Sequence, residues 1–214
     1  MSIGPQLATK WATVDENTWY FYLRQDVKFS DGQKMTSEDV VFSILRAKQP
    51  TSDFKEYIST ISGVKAIDTY TVQIKTSKPN PILLNQLSNI FIMSKQWSEE
   101  NFAMTSQNWD AGQETFSATN ALGTGPFKIT LREPNTKTVF KKNKYWWGEM
   151  KDKSVTQIEL LPIKNAATRV AALLSGEIDL VTDAPVQDLK RIGSSSGHKV
   201  ESTAQMRTIF LGMD

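Results

Sequence analysis

The sequence predicts an α/β protein. Runs of alternating apolar and polar residues mark strands, apolar stripes at helical spacing mark helices, and Gly- or Pro-containing turns separate the two. In residues 18–24, Trp19, Phe21 and Leu23 point one way and Tyr20, Tyr22 and Arg24 the other, as in a half-buried strand. Residues 30–33, Ser-Asp-Gly-Gln, form a turn. Thr36 then stands where a helix N-cap is wanted, with Glu38 and Asp39 in the first turn, where the helix dipole favours carboxylates. Val40, Val41, Ile44 and Leu45 make one stripe on that helix, and Phe42 lies off it.

Residues 69–76 alternate again and predict a second strand. A short helix starts at Pro81, and residues 89–94 read as a buried strand or a connector. The stretch 99–120 is polar and weakly periodic, which predicts loops with a short helix and the best place for a domain boundary. After it, residues 123–130 read as a Gly-Pro turn feeding a strand, 136–143 as its hairpin partner and 155–162 as a further strand. An Ala- and Leu-rich helix spans 166–177 with Gly176 at its C-terminal cap. A short strand at 178–181, a Pro-started helix at 185–192, a flexible loop at 194–197 and an extended apolar segment at 206–214 complete the reading. Because a domain seldom stops inside a strand, the chain is expected to continue past Asp214.

The bulk numbers narrow the function classes. The 214 residues carry 25 basic and 23 acidic side chains, a formal net charge of +2, with the signs mixed along the chain. A nucleic-acid groove needs clustered Lys and Arg, whereas the densest basic run, Lys141-Lys142-Asn143-Lys144, reads as a solvated strand end. No stretch approaches the ~20 apolar residues of a membrane span. The start, Met1-Ser2-Ile3-Gly4-Pro5, has no signal-segment pattern, so an export signal is expected to be removed or to lie outside the chain. With no Cys there is no disulfide, thiol nucleophile or thiolate metal site.

Catalytic patterns are equally thin. The single histidine, His198, sits in Ser-Ser-Ser-Gly-His without a Gly-x-Ser-x-Gly elbow, so a hydrolase with His198 as base is the weaker reading. Gly123 and Gly125 precede a strand and lack the Gly-Lys-Ser/Thr of a phosphate loop. No ligand-spaced cluster of His, Cys and carboxylates is present, so no metal or cofactor is expected. The residues read as a chain that holds something without transforming it.

Four blocks, in order, resemble the family 5 extracellular solute-binding proteins, the peptide and nickel receptors of bacterial ABC importers. They are LATKWATVDENTWYFYLRQDVKFSDGQKMTSEDVVFSILR (7–46), GTGPFKI (123–129), KKNKYWWGE (141–149) and RVAALLSGEIDLV (169–181). The resemblance implies a two-lobed, cleft-binding fold of the type II periplasmic-binding-protein kind. Residues 1–121 would form the small subdomain beside the first lobe, residues 122–214 part of that lobe, and the second lobe would be absent.

The resemblance also implies a non-enzymatic, monomeric importer component that works in the periplasm or outside the cell, lipid-anchored in a Gram-positive source. It would pass a short peptide to an ABC permease in the inner membrane. A nickel chelate, a sugar conjugate or haem as ligand, or a sensory ectodomain, are the alternatives. Ligand contacts would involve Phe42, which stands where some peptide-binding relatives place a ligand-contacting Tyr, although packing against a neighbouring loop is the favoured reading of it. They would also involve Arg207, whose planar fork suits a ligand carboxylate, and Asn120 and Trp109 in the polar stretch.

Overall fold

A computed structural model describes residues 3–112, 114–150 and 154–203. Two compact units are present, residues 1–160 and 161–214.

The first unit holds two antiparallel sheets. Strands β1 (Ala8–Asp15), β2 (Thr18–Leu23), β3 (Ile61–Asp68) and β4 (Thr71–Thr76) form one sheet in the order β1-β2-β4-β3. The alternation in β2 emerges as expected: Phe21 and Leu23 are buried and Trp19 packs against the same core, with Val72 and Ile74 of β4 beside them. On the opposite face the Gln73 side-chain amide donates to the Tyr20 hydroxyl of the paired residue, which explains how a polar side chain is buried there. Tight turns close both hairpins. Asp15 accepts from the Asn17 N–H and Asp68 from the Tyr70 N–H, and these bonds hold both carboxyls below the usual carboxylate range.

Helix α1 (Ser37–Ala47) packs on this sheet. Thr36 caps it, and Asp39 reaches back to accept from the Thr36 N–H at 2.8 Å, a capping box with Asp in the usual Glu place. The core-facing line is Val40, Ile44 and Ala47, while Leu45 is 53% exposed and so leaves the expected stripe. The reason is a second buried face. Residues 93–105 wrap over it: the Met93 N–H donates to the Ser43 hydroxyl, the Lys95 N–H to Asp39, and Arg46 donates to the carbonyls of Ala103 and Thr105 and to the Ser117 hydroxyl. Burial pulls the Arg46 guanidinium below its ordinary value, and three acceptors compensate for the lost water.

Helix α3 (Lys95–Glu100) ends just inside the polar stretch 99–120, whose own helical content is a single turn at Phe116–Ala118. Residues 89–94 form a connector rather than a strand, after α2 (Leu83–Leu87). Strands β5 (Phe127–Glu133), β6 (Lys137–Lys142) and β7 (Gln157–Leu160) make the second sheet in sequential order. The two sheets fall on either side of position 121, but both belong to the first unit.

The second unit contains α4 (Ala166–Ser175) and α5 (Leu189–Ser194). Asn165 caps α4 by accepting from the Thr168 N–H, and Gly176 ends it in the left-handed region at φ 79°, the role expected for it. Val170, Ala172 and Ile192 are its buried apolar residues. Residues 178–181 form no strand, since no described segment pairs with them, and Leu180 is 77% exposed. The start of the expected 194–197 loop is the last residue of α5, and the segment 206–214 lies outside the described residues.

Candidate functional site

The recurring motifs of the first unit converge on one node. The 24–36 segment folds back through a Lys28–Lys34 bridge, with the Phe29 N–H donating to the Gln33 carbonyl. Gly32 turns at φ 102° directly under the Tyr145 ring, where a Cβ would lie 2.9 Å from a ring carbon. The Ser30 N–H donates to the Gly123 carbonyl at 3.0 Å. Asn143, 1% exposed, joins the remaining two blocks: its Nδ2 donates to the Gly125 carbonyl at 2.8 Å and its Oδ1 accepts from the Tyr145 N–H at 2.9 Å. Trp147 packs against the main core, and the Arg24 guanidinium lies 4.5 Å from its ring centroid while forking onto Asp26. That hydrogen-bonded pair lowers the Asp26 carboxyl and raises Arg24. The motif residues thus fix the loops at 24–36, 123–126 and 143–147 to one another.

The first unit also holds a polar cavity of about 160 Å³. Trp97 of α3 and Phe116 form an aromatic wall, ring centroids 5.6 Å apart, and Thr119, Asn120, Ile129 and Arg132 complete most of the lining. Four consecutive residues of β5, from Ile129 to Arg132, reach it. A regular strand would turn Ile129 and Arg132 to opposite faces, but the pairing with β6 slips between Ile129 and Leu131, and this bulge puts the two on the same face. Arg132 is anchored twice, Nε to the Ala118 carbonyl at 3.1 Å and Nη1 to the Thr138 hydroxyl at 3.4 Å. No carboxylate among the described residues pairs with it. Asn120 uses its amide hydrogens on the Phe116 carbonyl and the Thr119 hydroxyl, both at 3.1 Å.

Of the four residues singled out from sequence, Asn120 is the one in this cavity. Phe42 is 7% exposed, on the helix face covered by the 93–105 segment, and Trp109 is 65% exposed on a turn. Arg207 lies outside the described residues.

The family model for the bacterial extracellular solute-binding proteins, family 5 (middle region), matches residues 2–214. The chain belongs to this family. It is 25% identical to the periplasmic murein peptide-binding protein MppA of Escherichia coli K12, over 97% of this chain and 40% of that protein. Among solved structures, NikZ from Campylobacter jejuni in complex with Ni(L-His) superposes with a TM-score of 0.74 at 26% identity, over 90% of this chain and 37% of that one. AgaA of Agrobacterium tumefaciens R10, in complex with agropinic acid, gives 0.76 at 26% identity, again over 90% and 37%. The chain therefore spans about 40% of the length of MppA and corresponds to part of a type II periplasmic-binding-protein fold.

In this family 5 chain His198 sits in the second unit with Nδ1 3.0 Å from the Ser196 carbonyl oxygen and Nε2 3.0 Å from that of Leu173. Both ring nitrogens thus face main-chain carbonyls, Nδ1 within the 195–198 turn and Nε2 at the last turn of α4. A hydrolytic role would require one of them turned onto a hydroxyl. Among the described residues no group of three or more His, Asp or Glu side chains is placed to hold a metal ion, and no helix is long and apolar enough to cross a membrane. Sequence reasoning missed Arg132, Trp97 and Phe116: they lie on three separate segments, and the bulge that sets the face of Arg132 leaves no periodic signal.

Proposed function

We propose that this chain is part of the substrate-capture protein of an ABC importer, which binds a short peptide in a cleft between two lobes and delivers it to a membrane permease. The observation that carries the reading is the family match over residues 2–214, together with the convergence of the family-like blocks at 24–33, 123–126 and 143–147 on one rigid node. Such a node suits a lobe that must move as a body: hinge closure transmits binding energy only if the wall of the cleft does not deform. No covalent step is involved. In this reading the protein is a monomer of the periplasm or cell exterior, lipid-anchored in a Gram-positive source. Residues 1–121 are the small subdomain and 122–214 part of the first lobe. Asn120, Trp109 and Arg207 supply contacts to the ligand, and Phe42 backs the wall from beneath the 93–105 segment.

The ligands of the two structural neighbours, Ni(L-His) and agropinic acid, favour a second reading in which the same fold takes a small non-peptide solute. Calorimetric titration of the complete gene product with trialanine and with nickel–histidine separates the two. Binding of trialanine supports the peptide reading; binding of nickel–histidine alone replaces it with the second. The 214-residue chain, tested in parallel, is expected to bind trialanine far more weakly, because closure of a second lobe contributes to affinity.

A further inference from the structure

We propose that the cavity between α3 and β5 is a binding site for a small carboxylate with a flat apolar body, with Arg132 as its anion contact. Its volume, about 160 Å³, matches the ~150 Å³ of an apolar cavity known to admit benzene. Trp97 and Phe116 supply an aromatic wall against which such a body stacks. The polar groups are already oriented by other contacts. Arg132 is pinned through Nε and Nη1, so its fork is held in place, while Nη2 has no partner among the described residues. No acidic side chain among the described residues neutralises it, although Glu133 is its chain neighbour. Asn120 spends both amide hydrogens on the chain, which leaves Oδ1 as an acceptor at the same cavity.

The geometry is thus cation plus acceptor beside an aromatic wall. An anion with one further donor, such as an aromatic or branched α-amino acid, satisfies all three, and benzoate satisfies the first and last. The β5 bulge shapes the site: it pairs Ile129 with Phe140 and Arg132 with Thr138, two residues on one face of β6, whereas an unbroken strand would turn Ile129 and Arg132 to opposite faces. The site lies wholly within the first unit, so it does not depend on lobe closure or on the importer reading.

The test is a ligand-observed NMR titration of the 214-residue chain with benzoate and with its neutral isostere benzamide. Benzoate is expected to saturate with a millimolar dissociation constant and benzamide to bind about tenfold or more weakly, since a charge-assisted bond to Arg132 is lost. Arg132→Gln should weaken benzoate by about tenfold and leave benzamide unchanged. Asn120→Asp, which places a carboxylate at the same cavity, should weaken benzoate while the fold persists, as checked by circular dichroism on both variants. Equal binding of benzoate and benzamide, unchanged benzoate binding in folded Arg132→Gln, or no saturable benzoate binding would each overturn the proposal. Failure of trialanine to bind the complete gene product would count against the importer reading alone.

Discussion

Replacing Asn143 by Ala tests whether the motif node is what holds the first unit's loops together. The side chain is 1% exposed and makes two hydrogen bonds, one to the Gly125 carbonyl and one from the Tyr145 N–H. Truncation removes both and leaves a carbonyl and an amide N–H without partners, each costing about 1–3 kcal/mol. Gly125 and Tyr145 are only half-buried, so water recovers part of the loss, and about 2–4 kcal/mol remains. For a chain of this size that lowers the thermal midpoint by roughly 5–15 °C.

Asn143→Asp keeps the acceptor for Tyr145 but turns a carboxylate oxygen toward the Gly125 carbonyl, and should cost at least as much as Ala. Urea unfolding followed by tryptophan fluorescence is the assay, since Trp146 and Trp147, with ring centroids 4.5 Å apart, sit beside the node. A loss below about 1 kcal/mol for the Ala variant, or an Asp variant as stable as the parent, would refute the assignment of Asn143 as a load-sharing buried polar contact.

Gly32→Ala combines a positive φ with a Cβ 2.9 Å from the Tyr145 ring, and should cost about 1–3 kcal/mol, read as a lowered urea midpoint; no change would mean the turn relaxes freely. Arg46→Met removes three anchors of the 103–117 loop and should increase amide hydrogen exchange there, with exchange in β2 and β4 little altered. The carboxyls of Asp15, Asp26 and Asp68 are lowered in the folded chain, so each stabilises it above the ordinary value of 3.8 and that stability is lost as pH falls below it. The thermal midpoint should therefore drop on acidification below about pH 4, and drop less steeply in an Asp15→Asn/Asp68→Asn double variant.

The central parts of the fold were legible because they are buried on a regular period. Strands β2 and β4 alternate against α1, and α4 carries its Asn165 and Gly176 caps in the chain. The strands the sequence left unmarked, β1 and β3, are the two edges of their sheet. Edge strands bury less on either face: in β1 only Ala8 and Trp11 are even half-buried, and β3 is bent by irregular pairing at both ends, so neither shows clean alternation. The reverse error, a strand at 178–181, came from a short apolar run that no described segment pairs.

On α1, spacing located the helix but not its second partner. Leu45 left its expected stripe and Phe42 is buried off it, because the 93–105 segment covers one side of the helix through hydrogen bonds that leave no periodic signal. For the same reason only Asn120 of the cavity was legible. Trp97, Phe116 and Arg132 come from three separate segments, and Arg132 is held there by one main-chain carbonyl, that of Ala118, and one side-chain hydroxyl, that of Thr138.

The most direct test of the importer reading is native mass spectrometry of the complete gene product, exported and purified gently without refolding. A ladder of adduct masses matching short peptides is the predicted result. A single discrete non-peptide mass would contradict the peptide assignment while leaving family membership intact.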